Sequence, residues 1–198
     1  MPRRVCTWYK REIERAMHAN IHVFTFKAGL LARVAHDLRL TVQRHELTLQ
    51  GGKLRGHCAT DSLVVDGAMT SHGLDTGALS EGDKRQILET LREEILHSDR
   101  HPRVELDADV SADAQGTVEV RGSLRVRGQA RPLHVQLQRS GDRLTGAFEL
   151  TPSEFGIAPY KALAGAIKLQ DRVRVQVDLP LEGREPAALL ASGDVLQL

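Results

Sequence analysis

The stretch from Gly116 to Leu150 constrains the fold more than any other part of the chain. It reads GTVEVRGSLRVRGQARPLHVQLQRSGDRLTGAFEL. Apolar side chains recur at Val118 and Val120, at Leu124 and Val126, at Leu133, Val135 and Leu137, and at Leu144, Phe148 and Leu150. Glu119, Arg121, Ser123, Arg125, Gln136 and Glu149 stand between them. A period of two marks strands with one wet face and one buried face. Gly128 with Pro132, and Ser140-Gly141-Asp142, punctuate the run as short antiparallel turns. A meander of this kind must cover its apolar face, by closing on itself or by packing against another layer.

The remaining segments repeat the pattern. Ile21 to Lys27 is rich in β-branched and aromatic residues and predicts a strand. Gly29 to His36 carries its apolar residues at helical spacing. Leu38, Leu40 and Val42 alternate, Leu47 and Leu49 continue, and Gly51-Gly52 makes a turn. Leu54, Gly56 and Cys58 then share one face, with Leu63 to Val65 beyond a bend. Gly67 to Ala78 reads as a loop. Ser80, with Asp83 three residues on, caps a helix through Ile87, Leu88, Leu91 and Ile95. Pro102 ends it. Val104, Leu106, Ala108 and Val110 alternate again. A second short helix is expected over Tyr160, Leu163, Ala164 and Ile167. The last strand alternates Val173, Val175, Val177 and Leu179 with Arg172, Arg174, Gln176 and Asp178.

Eight to ten strands with wet outer faces point to a mainly β fold. The expected form is an antiparallel barrel of about eight strands with two or three short helices. Such a barrel is just wide enough to be filled by side chains or to hold one small ligand. At 198 residues the chain can bury a core without a disulfide or metal staple. The barrel is assigned to residues 21–181. Residues 1–20 form an extension in which Tyr9, Ile13 and Met17 fit a short amphipathic helix, and a disordered segment fits equally. Residues 182–198 form a tail.

Composition and motifs exclude several functions. Lys plus Arg is 27 and Asp plus Glu 26, a balance that argues against a nucleic-acid binder. Arg121, Arg125 and Arg127 lie on the polar face without interleaved aromatic platforms, so they read as solvated. No apolar run is long enough to span a membrane. Charged residues occupy the place of an apolar signal core, which predicts a cytoplasmic location unless the true start differs. His97 and His101 have the spacing of two metal ligands on a helix, but Pro102 pulls His101 out of helical geometry. They read as solvated, and no metal is expected. His36-Asp37 suits either a polar pair at a cavity mouth or a helix-end histidine. Cys58 reads as an inert buried thiol. Ser71, His72 and Asp75 lack a nucleophile elbow, and no phosphate-binding glycine loop is present. No catalytic residue and no cofactor is expected.

Three stretches together resemble the YceI-like family. LRVRGQARPLHVQL (124–137) is similar to its hairpin with a Gly-centred turn and a Pro-led return strand. ELTPSEFGI (149–157) is similar to the segment before its last helix and strand. The helix over residues 81–97 running into HSDRHPRVELDAD sits where the family places a helix and a Pro-led strand. GLLARVAHDLRL (29–40) looks like a variant of one branch. The resemblance covers roughly Ile21 to Leu181. It implies a lipocalin-like barrel with an elongated apolar cavity, a polyisoprenoid, isoprenoid quinone or other long-chain lipid bound inside, a homodimer in many members, and no enzyme activity. Family members are commonly exported, and this chain shows no signal.

Alternation and resemblance together nominate Phe24, Phe26, Leu30, Leu31, Leu38, Leu40, Phe148, Phe155, Leu163 and Ile167 as ligand contacts. The facing of the first strand is ambiguous by one residue. The alternative is a protein-interaction module whose barrel is filled and whose helices and terminal extensions are the working surface.

Overall fold

Every alternating run becomes a strand, because extended backbone is the conformation that puts successive side chains on opposite faces. The computed structural model describes residues 19–28, 36–162, 167–181, 183–191 and 195–197. Its strands are β1 (Asn20–Ala28), β2 (Asp37–Val42), β3 (His45–Gln50), β4 (Lys53–Ala59), β5 (Leu63–Thr70), β6 (Gly73–Asp75), β7 (Arg103–Ala112), β8 (Val118–Val126), β9 (Gln129–Ser140), β10 (Arg143–Leu150), β11 (Lys161–Ala162), β12 (Ile167–Pro180) and β13 (Leu196–Gln197). The helices are α1 (Glu81–Thr90), prolonged by a π-helical turn over Leu91–Ile95, and α2 (Pro186–Ala191).

Two bends turn the sheet into a barrel. β2 and β3 form one strand bent at Gln43–Arg44, and β4 and β5 form one bent at Thr60–Ser62. Together they make a long hairpin around Gly51-Gly52, with Gln50 opposite Lys53, His45 opposite Cys58, Val42 opposite Leu63 and Asp37 opposite Met69. The ladder runs through the corner: Gln43 N–H donates to the Ser62 carbonyl at 3.2 Å and Ala59 N–H to the Arg44 carbonyl at 2.9 Å. One flank of the hairpin pairs with β1 and the other with β7. β8, β9, β10 and β12 complete the antiparallel ring back to β1. The sheet has thirteen strand segments. When the bent strands are joined and the short β6, β11 and β13 set aside, eight strands circle the barrel.

Curvature this tight needs positions without a Cβ. A Cβ on Gly56 would lie 2.0 Å from the Glu46 carbonyl oxygen, and one on Gly122 would lie 2.2 Å from that of Asp107. Both glycines stand on the inner face, where neighbouring strands fold most closely over one another. Outside, β4, β7 and β8 carry Lys53–Asp109, Arg55–Asp107 and Arg125–Glu105 pairs, with Arg121 on Glu119. This is the solvated face expected of those arginines.

Several segments differ from the sequence reading. The expected loop at 67–78 holds the end of β5 and β6, which pair at Ala68–Asp75 and Met69–Leu74. Of the second helix expected over Tyr160, Leu163, Ala164 and Ile167, the described part is strand, with Lys161 and Ala162 of β11 paired to Lys168 and Ile167, while Leu163 and Ala164 lie outside the described residues. The tail contributes α2 and β13, and β13 pairs with Leu49 and Thr48 of β3. The helix expected over Gly29–His36 and the amphipathic stretch at Tyr9, Ile13 and Met17 lie outside the described residues.

Candidate functional site

The inner faces of the strands do not meet across the barrel. They enclose a cavity of about 750 Å³. Ala19, Leu49, Leu144 and Leu181 are buried in the core and do not line it. The wall rises in layers set by strand register. Ile21 lies opposite Val177, Val23 lies between Leu40 and Val175, and Thr25 lies between Leu38 and Val173. Phe148 and Leu150 add to the wall from β10, paired with Val175 and Val173.

Helix α1 covers one end of the cavity. Ser80 caps it with a reciprocal box: its Oγ accepts from Asp83 N–H at 3.1 Å, and an Asp83 carboxylate oxygen accepts from Ser80 N–H at 3.0 Å. The Ser80 hydroxyl, donating to the same carboxylate at 2.7 Å, and then the Ser80 N–H hold the Asp83 carboxyl below its usual range. No residue of the helix is buried, yet Ile87, Leu91 and Ile95 line the cavity. The apolar stripe of α1 therefore faces the cavity rather than a packed core. Arg127 fastens this cover: its guanidinium donates to the carbonyls of Ile95 and Gly156, each at 3.2 Å. Arg127 adopts φ 49° in the β8–β9 turn, so it leaves the polar strand face on which its sequence position placed it.

Several of the polar groups along the wall are engaged by the fold. The Thr60 hydroxyl donates to the His101 carbonyl at 2.9 Å, and the Gln170 amide to the Lys27 carbonyl at 3.1 Å. Arg172 lies 4.4 Å over the Phe26 ring and donates to Glu149 at 3.1 Å. His36 stands at the mouth, while Asp37 accepts from Lys27 N–H at 2.7 Å. Cys58 faces the cavity, and burial pushes its thiol from 9.0 up to about 11. The thiolate is the reactive form. In a Cys6→Ser variant, Cys58 should therefore react with a disulfide reagent at pH 8 about a hundredfold more slowly than in the unfolded chain. Equal rates would mean that water reaches the thiol.

The nominated contacts divide. Leu38, Leu40, Phe148 and Phe155 line the cavity. Phe24 and Phe26 do not; their odd-numbered neighbours Val23 and Thr25 do. Ile21 decides this, because its buried side chain pins the odd positions inward. Leu30, Leu31 and Leu163 lie outside the described residues. Ile167 is placed only by its backbone pairing with Ala162. Val23, Thr25, Ile87 and Leu91 also line the wall, outside the nominated set. The helical period of Ile87, Leu91 and Ile95 was the available signal for the last two.

The chain matches the YceI-like domain over residues 36–181. Among solved structures it is similar to BcnA of Burkholderia cenocepacia, with 11% identity, 81% of this chain and 94% of that chain covered, and a TM-score of 0.56. It is also similar to a Campylobacter jejuni YceI protein, with 9% identity, 82% of each chain covered and a TM-score of 0.45. No curated protein matches its sequence.

Proposed function

The chain belongs to the YceI-like family, and from that premise we propose that it is a non-catalytic carrier of a long-chain apolar lipid, of the polyisoprenoid or isoprenoid-quinone class, held inside the barrel. The observation that carries this reading is the cavity of about 750 Å³ with its layered aliphatic wall. That volume falls within the range of small-molecule sites. Burying hydrocarbon there contributes about 0.8 kcal/mol per CH₂, so affinity rises with chain length and depends weakly on chemical identity. The α1 stripe of Ile87, Leu91 and Ile95 supports the same reading, since a bound chain supplies the apolar partner this stripe lacks.

The test is native mass spectrometry of unextracted protein, followed by solvent extraction and mass analysis of what is released. The expected result is a stoichiometric long-chain species, or stoichiometric uptake of an offered isoprenoid quinone. A clean apo mass with no uptake overturns the carrier reading.

A further inference from the structure

The barrel wall is split along one seam. β9 and β10 pair at Ser140–Arg143, Arg139–Leu144 and Gln138–Thr145, and among the described residues no rung follows. Beyond that point Gln129–Leu137 pair with β8 and Gly146–Leu150 with β12, so two neighbouring stretches of strand face each other without a ladder. The void between them touches the outward-facing Gln136, Ala147 and Glu149 and the inward-facing Val135, Phe148 and Leu150. The last three also line the central cavity. A void that borders both faces of a sheet crosses its thickness. The slit is bounded rather than frayed. One limit is the Gln138–Thr145 rung. At the other, Arg127 in the β8–β9 turn donates to the Gly156 carbonyl at 3.2 Å, past the end of β10. Alternation from the two-residue turn at Arg127-Gly128 aims the Pro132 nitrogen at β10, where it has no N–H to give. A proline on an open edge discourages the addition of another strand, so the gap is protected rather than left for a second chain.

We infer that this slit is the ligand's port: a hydrocarbon chain passes sideways between β9 and β10, and the α1 cover stays shut. This deepens the carrier reading and rests on it. The end under α1 is the costlier way out. Arg127 ties the Ile95 carbonyl, and Arg92 donates to the Asp61 carbonyl at 2.9 Å. Lifting the helix breaks both bonds and exposes the stripe of Ile87, Leu91 and Ile95 to water. Passage through the slit breaks no rung of the sheet. It needs only Phe148 and Leu150, both half-buried, to swing aside, and rotamer changes are fast beside the movement of a helix.

Two covalent bridges test this in a Cys6→Ser, Cys58→Ala background. Gln136→Cys with Ala147→Cys, joined by a short bis-maleimide, spans the slit from outside. Asp61→Cys with Arg92→Cys, joined in the same way, pins α1 to the wall. The bridges are made on folded protein, and each unbridged double variant is its own reference. Uptake and release of cis-parinaric acid, a slim fluorescent fatty acid, are followed by stopped flow beside its equilibrium affinity. The slit bridge should slow uptake and release alike by about tenfold or more and leave Kd within about twofold, because closing a path raises the barrier without changing its end states. The α1 bridge should leave both rates within about twofold. If the α1 bridge slows exchange as much as the slit bridge or more, or the slit bridge changes no rate, the port is elsewhere and lipid carriage stands. If the slit bridge weakens Kd as much as it slows exchange, it has deformed the cavity and the inference also falls. If the wild type does not bind the probe, the carrier reading falls and takes the port with it.

Discussion

Replacing Phe148 by aspartate should empty the cavity. Phe148 lines it from β10, opposite Val175 of β12, and is only half-buried. The folded chain can therefore accept the carboxylate by hydrating it. A bound hydrocarbon removes that water. An unpaired carboxylate against hydrocarbon costs several kcal/mol, and the lost phenyl contact removes about 2 kcal/mol more. The expected outcome is at least a hundredfold loss of lipid affinity by probe displacement, with an unchanged far-ultraviolet circular dichroism spectrum. Phe148→Ala should lose much less, because it removes the contact without adding the charge. Full retention by a folded Phe148→Asp protein would put the ligand elsewhere.

Gly122→Val should cost the barrel about 3 kcal/mol or more. Its Cβ would meet the Asp107 carbonyl oxygen at 2.2 Å and the Ala108 Cα at 2.4 Å, both backbone atoms of the paired β7 strand. Backbone in a ladder cannot swing aside as a long side chain can, so either the β7–β8 pairing opens or the curvature relaxes. Urea denaturation should show a lowered midpoint. Gly82→Ala in α1 is the control. Its Cβ meets only Ser80 Oγ at 3.5 Å, an ordinary contact, and alanine suits a helix. That variant should be at least as stable as the wild type. Equal effects of the two substitutions would remove curvature as the reason for Gly122.

Legibility followed the contrast between faces. β12 alternates valine with charged and amide residues, so its inner face was readable residue by residue. β1 sets Ile21, Val23 and Thr25 against His22, Phe24 and Phe26. Both faces are largely apolar there, and the aromatic set drew the assignment outward by one position. Only packing resolves it: Ile21 goes into the core, while Phe26 is covered by the Arg172 guanidinium. Thr25 was unreadable for a related reason, since a hydroxyl in an alternating strand suggests the wet side. The helix expected near Tyr160 failed through propensity. KALAGAIK contains several strong helix formers, but at its two described ends Lys161 and Ala162 pair with Lys168 and Ile167 instead, so tertiary pairing overrides that local preference there. β13 was invisible because two residues carry no period. The capping box, by contrast, was legible from Ser80 and Asp83 alone and stands in the structure as hydrogen bonds.

The seam between β1 and β12 sets the order in which a newly made chain can finish. Asn20 pairs with Asp178 and Ile21 with Val177, so the last closing contacts join positions near opposite ends of the sequence. The hairpins of the meander and the bent β2–β5 hairpin bring together residues close in the chain and can form early. β1 must wait until synthesis has passed Pro180. Until then the apolar inner face lies open beside two unpaired strand edges, on β1 and β10. Contacts of such long separation are slow to form, and open edges invite pairing with other chains. A chain made only as far as β11 thus holds an unclosed sheet with its apolar face and two edges open, the arrangement most exposed to pairing with other chains.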